Sequence, residues 1–262
     1  MEFDRFHVRT VAEDPDLMGR IQVLIEVVWP AYMLESKYPA DIPYRANWFH
    51  IYRDFPQYQF ALLDPASDEM FAAGNALAMA WDGADEDLPD AGWMWELATA
   101  LDEHAAGLPP RTMGALSISI QPAMQGKGLS TLMIEIMAEM GRRNGLGRLI
   151  APVRPSLKSR YPTVIMQDYI RWPYADGLPF DPWMRTHARL GARIVHPCER
   201  SMEMEGTLDQ WRRWSGLVFP VSGDFPVPEL LAPLHVDVER AVGTYVEPNV
   251  WMVHSLRRGG PA

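Results

Sequence analysis

The stretch from Leu116 to Met140 limits what this chain can fold into more than any other. It runs without interruption through the β-forming residues Leu116-Ser117-Ile118-Ser119-Ile120, the strand-ending Pro122, the turn Gln125-Gly126-Lys127-Gly128-Leu129-Ser130 and an apolar helical pattern. In that pattern Leu129, Leu132, Met133, Ile136, Met137 and Met140 recur at helical spacing, so one stripe of the helix is buried. Asn144-Gly145 closes it. A strand that feeds a helix through two glycines gathers free backbone N–H groups and the positive end of the helix dipole at one spot. The turn is therefore predicted to be an anion site, with Gly126 and Gly128 letting the backbone come close to a phosphate. It is not a P-loop, because no Gly-Lys-Ser/Thr follows four variable residues after a glycine. Nor is it a dinucleotide fingerprint, because Gly-x-Gly-x-x-Gly is absent.

The flanking sequence supplies the rest of an α+β layer structure. Phe6 to Val11 alternates as a half-buried strand does, and apolar residues from Leu17 to Met33 recur at helical spacing, with Pro30 bending or ending the helix. A second helix runs from Tyr44 to Phe55, and Tyr58–Leu63 with Phe71–Trp81 reads as a strand hairpin. Asp82 to Asp90 reads as an acidic exposed loop and Trp93 to Ala106 as a helix; Gly147 to Val153 is a strand. Further on come a helix around Trp183 to Leu190, a strand from Arg193 to Glu205 and a closing strand from Asn249 to His254.

Composition narrows the function. The 262 residues carry 24 Lys and Arg against 34 Asp and Glu, a formal charge of −10, which disfavours nucleic acid as a partner. The lone Cys198 forms no intrachain disulfide and fits a reducing cytoplasm. No signal-like N-terminus is present, and the apolar run from Phe71 to Trp81 is far short of the roughly 20 residues that span a bilayer, so no membrane role is expected. Seven His show no metal-ligand spacing, so no metal is expected. The 16 Met and 10 Trp suggest a soft, aromatic-lined interior or cleft.

The glycine turn resembles the coenzyme A motif of the GNAT superfamily of N-acyltransferases, Gln/Arg-x-x-Gly-x-Gly/Ala, on Gln125, Gly128 and Ser130, with Ser at the last position in place of Gly or Ala. The resemblance covers roughly residues 6 to 155 and, more loosely, up to about 205. It implies a mixed, mostly antiparallel twisted sheet flanked by helices, with a splayed strand pair holding coenzyme A. A GNAT-like domain would span 1–205, with an insertion at about 82–110. Residues 206–262 would be a C-terminal extension packed on the same domain. It also implies acetyl-CoA as co-substrate and transfer of acetyl to a primary amine of a small molecule by direct attack. A coenzyme A-binding regulatory module without catalysis, or transfer of a longer acyl group, are the alternatives.

By the same resemblance Gly126, Lys127, Gly128, Leu129, Ser130 and Thr131 hold the pyrophosphate next to Gln125, and the strand through Ile120 borders the pantetheine. An amide near Ile118 polarises the thioester carbonyl. Arg154 and Lys158, with Lys127 and Arg160, form a basic cluster suited to the coenzyme's phosphates. The acid that protonates the leaving thiolate is commonly a Tyr, and His187 falls in its place within Thr186-His187-Ala188-Arg189-Leu190-Gly191; an imidazolium could serve there. Tyr161, Tyr169 and Tyr174 are rivals. Glu96, flanked by Trp95 and Leu97, is a base candidate if burial raises its pKa, beside Glu35 and Asp54. Cys198 reads as a packed strand residue. The last residues could complete the sheet, cover the acceptor cleft or form a homodimer contact.

Overall fold

A computed structural model describes residues 6–38 and 44–257. A helix-rich first half, α1 (Leu17–Val28), α2 (Ala31–Glu35) and α3 (Tyr44–Asp54), follows β1 (His7–Thr10). Pro30 separates α1 from α2, because it has no N–H to continue the first helix but suits the start of the second. The hairpin β2 (Gln59–Leu63) and β3 (Met70–Met79) leads to α4 (Gly92–Ala105), β4 (Thr112–Ile120), α5 (Leu129–Arg143) and β5 (Arg148–Val153). The chain continues through α6 (Met166–Tyr169), α7 (Pro182–Arg189), β6 (Arg193–Thr207), α8 (Leu208–Ser215), β7 (Gly223–Phe225), β8 (Leu234–Asp237) and β9 (Val242–Ser255).

The strands form one sheet in the order β1-β2-β3-β4-β5-β9-β8-β7, and β6 pairs with β9. Every pairing is antiparallel except β4 with β5. Residues 206–262, set apart by the sequence as an extension, supply β9, which lies inside the sheet. Its C-terminal half pairs with β5, its start with β8, and β6 runs beside most of it. Likewise α4, from the segment set apart as an insertion, is a core helix with Trp93, Met94, Leu97 and Ala100 buried.

Helices cover both faces. A Cβ on Gly74 of β3 would strike Met137 of α5, whereas one on Gly114 of β4, paired with Leu77, would strike Glu96 of α4. Gly74 and Leu77 are an odd number of residues apart on one strand, so α5 and α4 occupy opposite faces. Beside α4 lie α1 and α3, joined by the Gln22 to Tyr52 hydrogen bond (2.8 Å) and by the stacked pair Trp48 and Trp93, 5.8 Å between centroids. Beside α5 lies α7. The α5 stripe is buried as its spacing predicts, at Leu129, Met133, Ile136 and Met137. No helix among the described residues is long and apolar enough to cross a membrane.

Candidate active site

The parallel pair β4 and β5 holds together over only three positions, Thr112 with Arg148, Met113 with Leu149 and Gly114 with Ile150. Beyond Gly114 the strands part. Ala115–Ile120 stays attached to β3, and Ala151–Val153 stays attached to β9. Each strand thus turns an unpaired edge toward the other, and unpaired backbone groups call for a partner. A bulge marks the parting: Ala76 faces Ala115 while Asn75 faces Ser117, so Leu116 is the extra residue on β4. Trp93 fastens that bulge by donating its indole N–H to the Leu116 carbonyl at 2.8 Å.

Between the strands runs a cleft of about 540 Å³ that opens on both faces of the sheet. Trp29, Met33 and Trp93 wall it on one face, and Met137, Trp183 and His187 on the other. Part of the Met and Trp excess is thereby explained: these side chains give the cleft an adaptable apolar lining.

The predicted coenzyme turn lies at the mouth of this cleft. Ile118, Ile120, Gln125 and Ser130 line it, and Gln125 donates its side-chain amide to the Ile120 carbonyl at 3.3 Å. Gly126 and Gly128 have φ of 74° and 81°, in the left-handed region. Gly128 is the N-cap of α5, and no side chain caps that helix, which leaves its first amides to an outside acceptor. A Cβ at either glycine would meet nothing within 4 Å, so the space over the turn is open. Lys127 is exposed, with its ammonium 3.5 Å from the Met124 sulfur. Leu129 is buried beneath the turn, and Thr131 returns its amide to the Gly128 carbonyl. The residues present fit an anionic, extended ligand that threads from the turn into the cleft.

Two basic residues assigned to the phosphates do other work. Arg154 donates Nε to both oxygens of Glu247 (3.1 and 3.0 Å) and Nη2 to the Tyr32 hydroxyl (3.0 Å) and the Glu229 carbonyl (2.7 Å). Glu247 is fully buried and also accepts from the Tyr245 hydroxyl at 3.1 Å. Arg154 is therefore the counter-ion of a buried carboxylate at the β5 side of the cleft. Lys158 is 1% exposed, and its ammonium donates to the carbonyls of Tyr161 and Leu231 at 2.9 and 2.6 Å. It clamps two loops, and burial lowers its pKa to about 8.

The acid and base candidates are also redistributed. Glu96 is fully buried on α4 beside Gly114, beneath the point where the strands part, and is not part of the cleft lining among the described residues. Neither carboxyl oxygen makes a hydrogen bond of good geometry. Burial pushes its pKa well above the ordinary value, partly offset by the Ala115 amide. The raised pKa foreseen is present, but the access a general base needs is not. The folded state keeps a proton that the unfolded chain releases above pH about 4.3, so this group costs more stability as pH rises. Glu96→Leu is expected to stabilise the protein by about 1–3 kcal/mol, since it removes a buried unpaired polar group. The gain should grow between pH 5 and pH 8 in denaturant melts; a constant or falling gain would contradict a protonated buried Glu96.

His187 does reach the cleft. Asp181 caps α7 by accepting the amides of Trp183 and Met184, and the helix buries Met184 and His187. Burial, with His254 beside it, drops the His187 pKa to about 3, so near pH 7 the resting ring is neutral rather than the imidazolium foreseen. Glu35 is held by Arg213 and Trp214, and Asp54 by Arg53, neither in the cleft lining. Tyr161 and Tyr169 belong to an aromatic cluster with Trp172 and Phe180, and Tyr174 stacks on Arg185. Cys198 is buried, its thiol pushed up by burial. Sequence reasoning missed Glu247, Tyr245 and His254, all on β9. The isolated Glu247-Pro248 and the lone His254 ending an apolar run were the available signals.

No family model matches the chain. A curated protein, arginine N-acetyltransferase avaD from Aspergillus versicolor, is 27% identical over 278 aligned positions that cover 96% of this chain and 94% of that protein. Among solved structures, the loading GNATL domain of CurA from Lyngbya majuscula is 17% identical with a TM-score of 0.56, over 96% of this chain and 98% of that one. The GphF GNAT-like decarboxylase in complex with isobutyryl-CoA is 19% identical with a TM-score of 0.54, over 96% and 100%. With the parted parallel strands, the bulge and the glycine turn in place, the chain has the GNAT fold that these solved structures share.

Proposed function

We propose that this protein transfers acetyl from acetyl-CoA to the primary amine of a small molecule, with arginine as the first acceptor to try. The observation that carries the reading is the parting of β4 and β5 beyond Gly114 with the open glycine turn at its mouth. The arginine N-acetyltransferase relative supports the choice of acceptor. A cytoplasmic setting fits the single buried cysteine.

In this reading the amides from Gly126 to Ser130 take the pyrophosphate, the Thr131 amide being held by the Gly128 carbonyl, and a backbone amide near Ile118 polarises the thioester carbonyl. The amine nitrogen bonds to the carbonyl carbon, the carbon–sulfur bond breaks, and the sulfur leaves with the electron pair. His187 and Arg154 are the ionisable side chains lining the cleft among the described residues, and an arginine keeps its proton. Proton transfer therefore falls to His187, which takes the proton from the amine and passes it to the sulfur. The test follows free thiol release from acetyl-CoA with arginine, agmatine and simple alkylamines. Saturable acceleration by at least one amine is expected; release that never exceeds hydrolysis would sink the reading.

A further inference from the structure

The ring of His187 does not stand alone. Its Nδ1 lies 2.9 Å from Nε2 of His254, a residue near the end of β9, and both side chains are buried, at 3% and 4% exposure. A contact of that length between two neutral imidazoles holds one proton, so one ring donates and the other accepts. Which does so decides the chemistry of the cleft. If His254 donates, His187 presents an N–H at Nε2 and can only give a hydrogen bond. If His187 donates, its Nε2 is a bare lone pair.

The surroundings of His254 choose between these. Its other ring nitrogen meets the backbone of Leu190, just past α7, whose N–H is already given to the Thr186 and His187 carbonyls, so the group it meets is a carbonyl, which can only accept. That nitrogen must then carry the hydrogen. In a neutral ring the second nitrogen, Nε2, is left to accept from His187. The balance of its surroundings keeps the ring neutral near pH 7: its pKa falls to about 4 although the Leu190 backbone contact raises it. Burial disfavours the charge, and so does Arg142 of α5. Glu135, Glu139 and Arg143 of α5 line the small cavity beside His254, and the two arginines pair with Glu139, at 3.2 and 2.9 Å. Trp183 stands edge-on to His187 at 4.5 Å and packs an apolar ring against it.

We infer that His254 is a positioning residue: by accepting the Nδ1–H of His187, it fixes that ring in the tautomer whose Nε2 faces the cleft as a proton acceptor. The inference rests on the acetyl-transfer reading for its consequence, though the tautomer itself does not. His187 is thereby built to take the amine's proton first, and it protonates sulfur only after it has been charged. The thiolate that forms in the cleft favours that charged imidazolium, since an opposite charge nearby stabilises it.

Two variants and one spectrum test this. In nitrogen-15 NMR of the wild-type protein, the His187 ring should show Nδ1 protonated and Nε2 bare, with no turnover needed. His254→Leu removes the acceptor and should lower kcat by about 100-fold, within the range that general-base catalysis supplies. KM for acetyl-CoA should change less than twofold, because the glycine turn is untouched. His254→Gln, which keeps an acceptor oxygen, should recover most of the lost kcat. An Nε2–H tautomer in the spectrum overturns the inference, as does a His254→Leu protein with wild-type kcat or a His254→Gln protein no better than it. If no amine is acetylated at all, the acetyl-transfer reading fails while the spectrum still decides the tautomer. A thermal melt of both variants separates a folding defect from a loss of positioning.

Discussion

Gly128→Glu is expected to weaken acetyl-CoA binding by at least about 100-fold, equivalent to about 2.8 kcal/mol, with only a small fall in melting temperature. Two effects combine at this position. The φ of 81° costs an L-residue about 1–2 kcal/mol, which a Gly128→Ala control would report alone. The new carboxylate then stands at the uncapped start of α5, where it competes with the pyrophosphate for the same amides. The fold should survive because a Cβ there meets no neighbour within 4 Å. Binding is read by calorimetry or by quenching of the cleft tryptophans. Unchanged affinity in Gly128→Glu would remove the turn from the coenzyme site.

Arg154→Met should cost about 3 kcal/mol of folding stability, the lower end of what breaking a buried ion pair costs. The lower end applies because the arginine side chain is 33% exposed while Glu247 is at 0%. The loss comes from the carboxylate left behind. Tyr245 and Asn249 still reach it at 3.1 and 3.4 Å, but neither carries a charge. Two companion variants sharpen the result. Arg154→Lys keeps the charge but loses the fork that serves Glu247, Tyr32 and Glu229 together, so it should fall between. The double variant Arg154→Met with Glu247→Gln removes both charges and should recover most of the loss, giving a coupling energy in a double-mutant cycle. If Arg154→Met melts like wild type, the ion pair is not structural, and Arg154 returns as a candidate phosphate ligand.

The legible part of this protein was its local part. Periodicity gave α1, α5 and the strands that flank the glycine turn, because each has a stripe or an alternation that burial imposes. The turn was legible because its shape lies in the backbone, and glycine advertises backbone demands. What the sequence hid was set by pairing over long distances. Nothing in Arg148 to Val153 says that residues 250–255 will lie beside it, so completing the sheet stood as only one of three roles open to the tail. The role of Arg154 was hidden for the same reason, since its partner Glu247 is brought in by β9. The helix α8 was missed although Thr207 and Gln210 form a capping box, because its short span carries almost no buried surface beyond Trp211. For His187, position in a family pattern located the residue but not its charge, which depends on burial and on His254.

The dependence of β5 on β9 also fixes an order of events as the chain folds. Positions 153 and 250 must meet before the outer edge of β5 is satisfied, and pairings so far apart in sequence form slowly because a long loop must close first. Until they meet, β5 has only its three rungs to β4, and nothing draws its other end away. The slot between the two strands is therefore among the last features to take shape. A chain lacking that pairing would keep its hairpin and helices yet lose one wall of the cleft, so the cleft depends on the most distant strand pairing β5 makes.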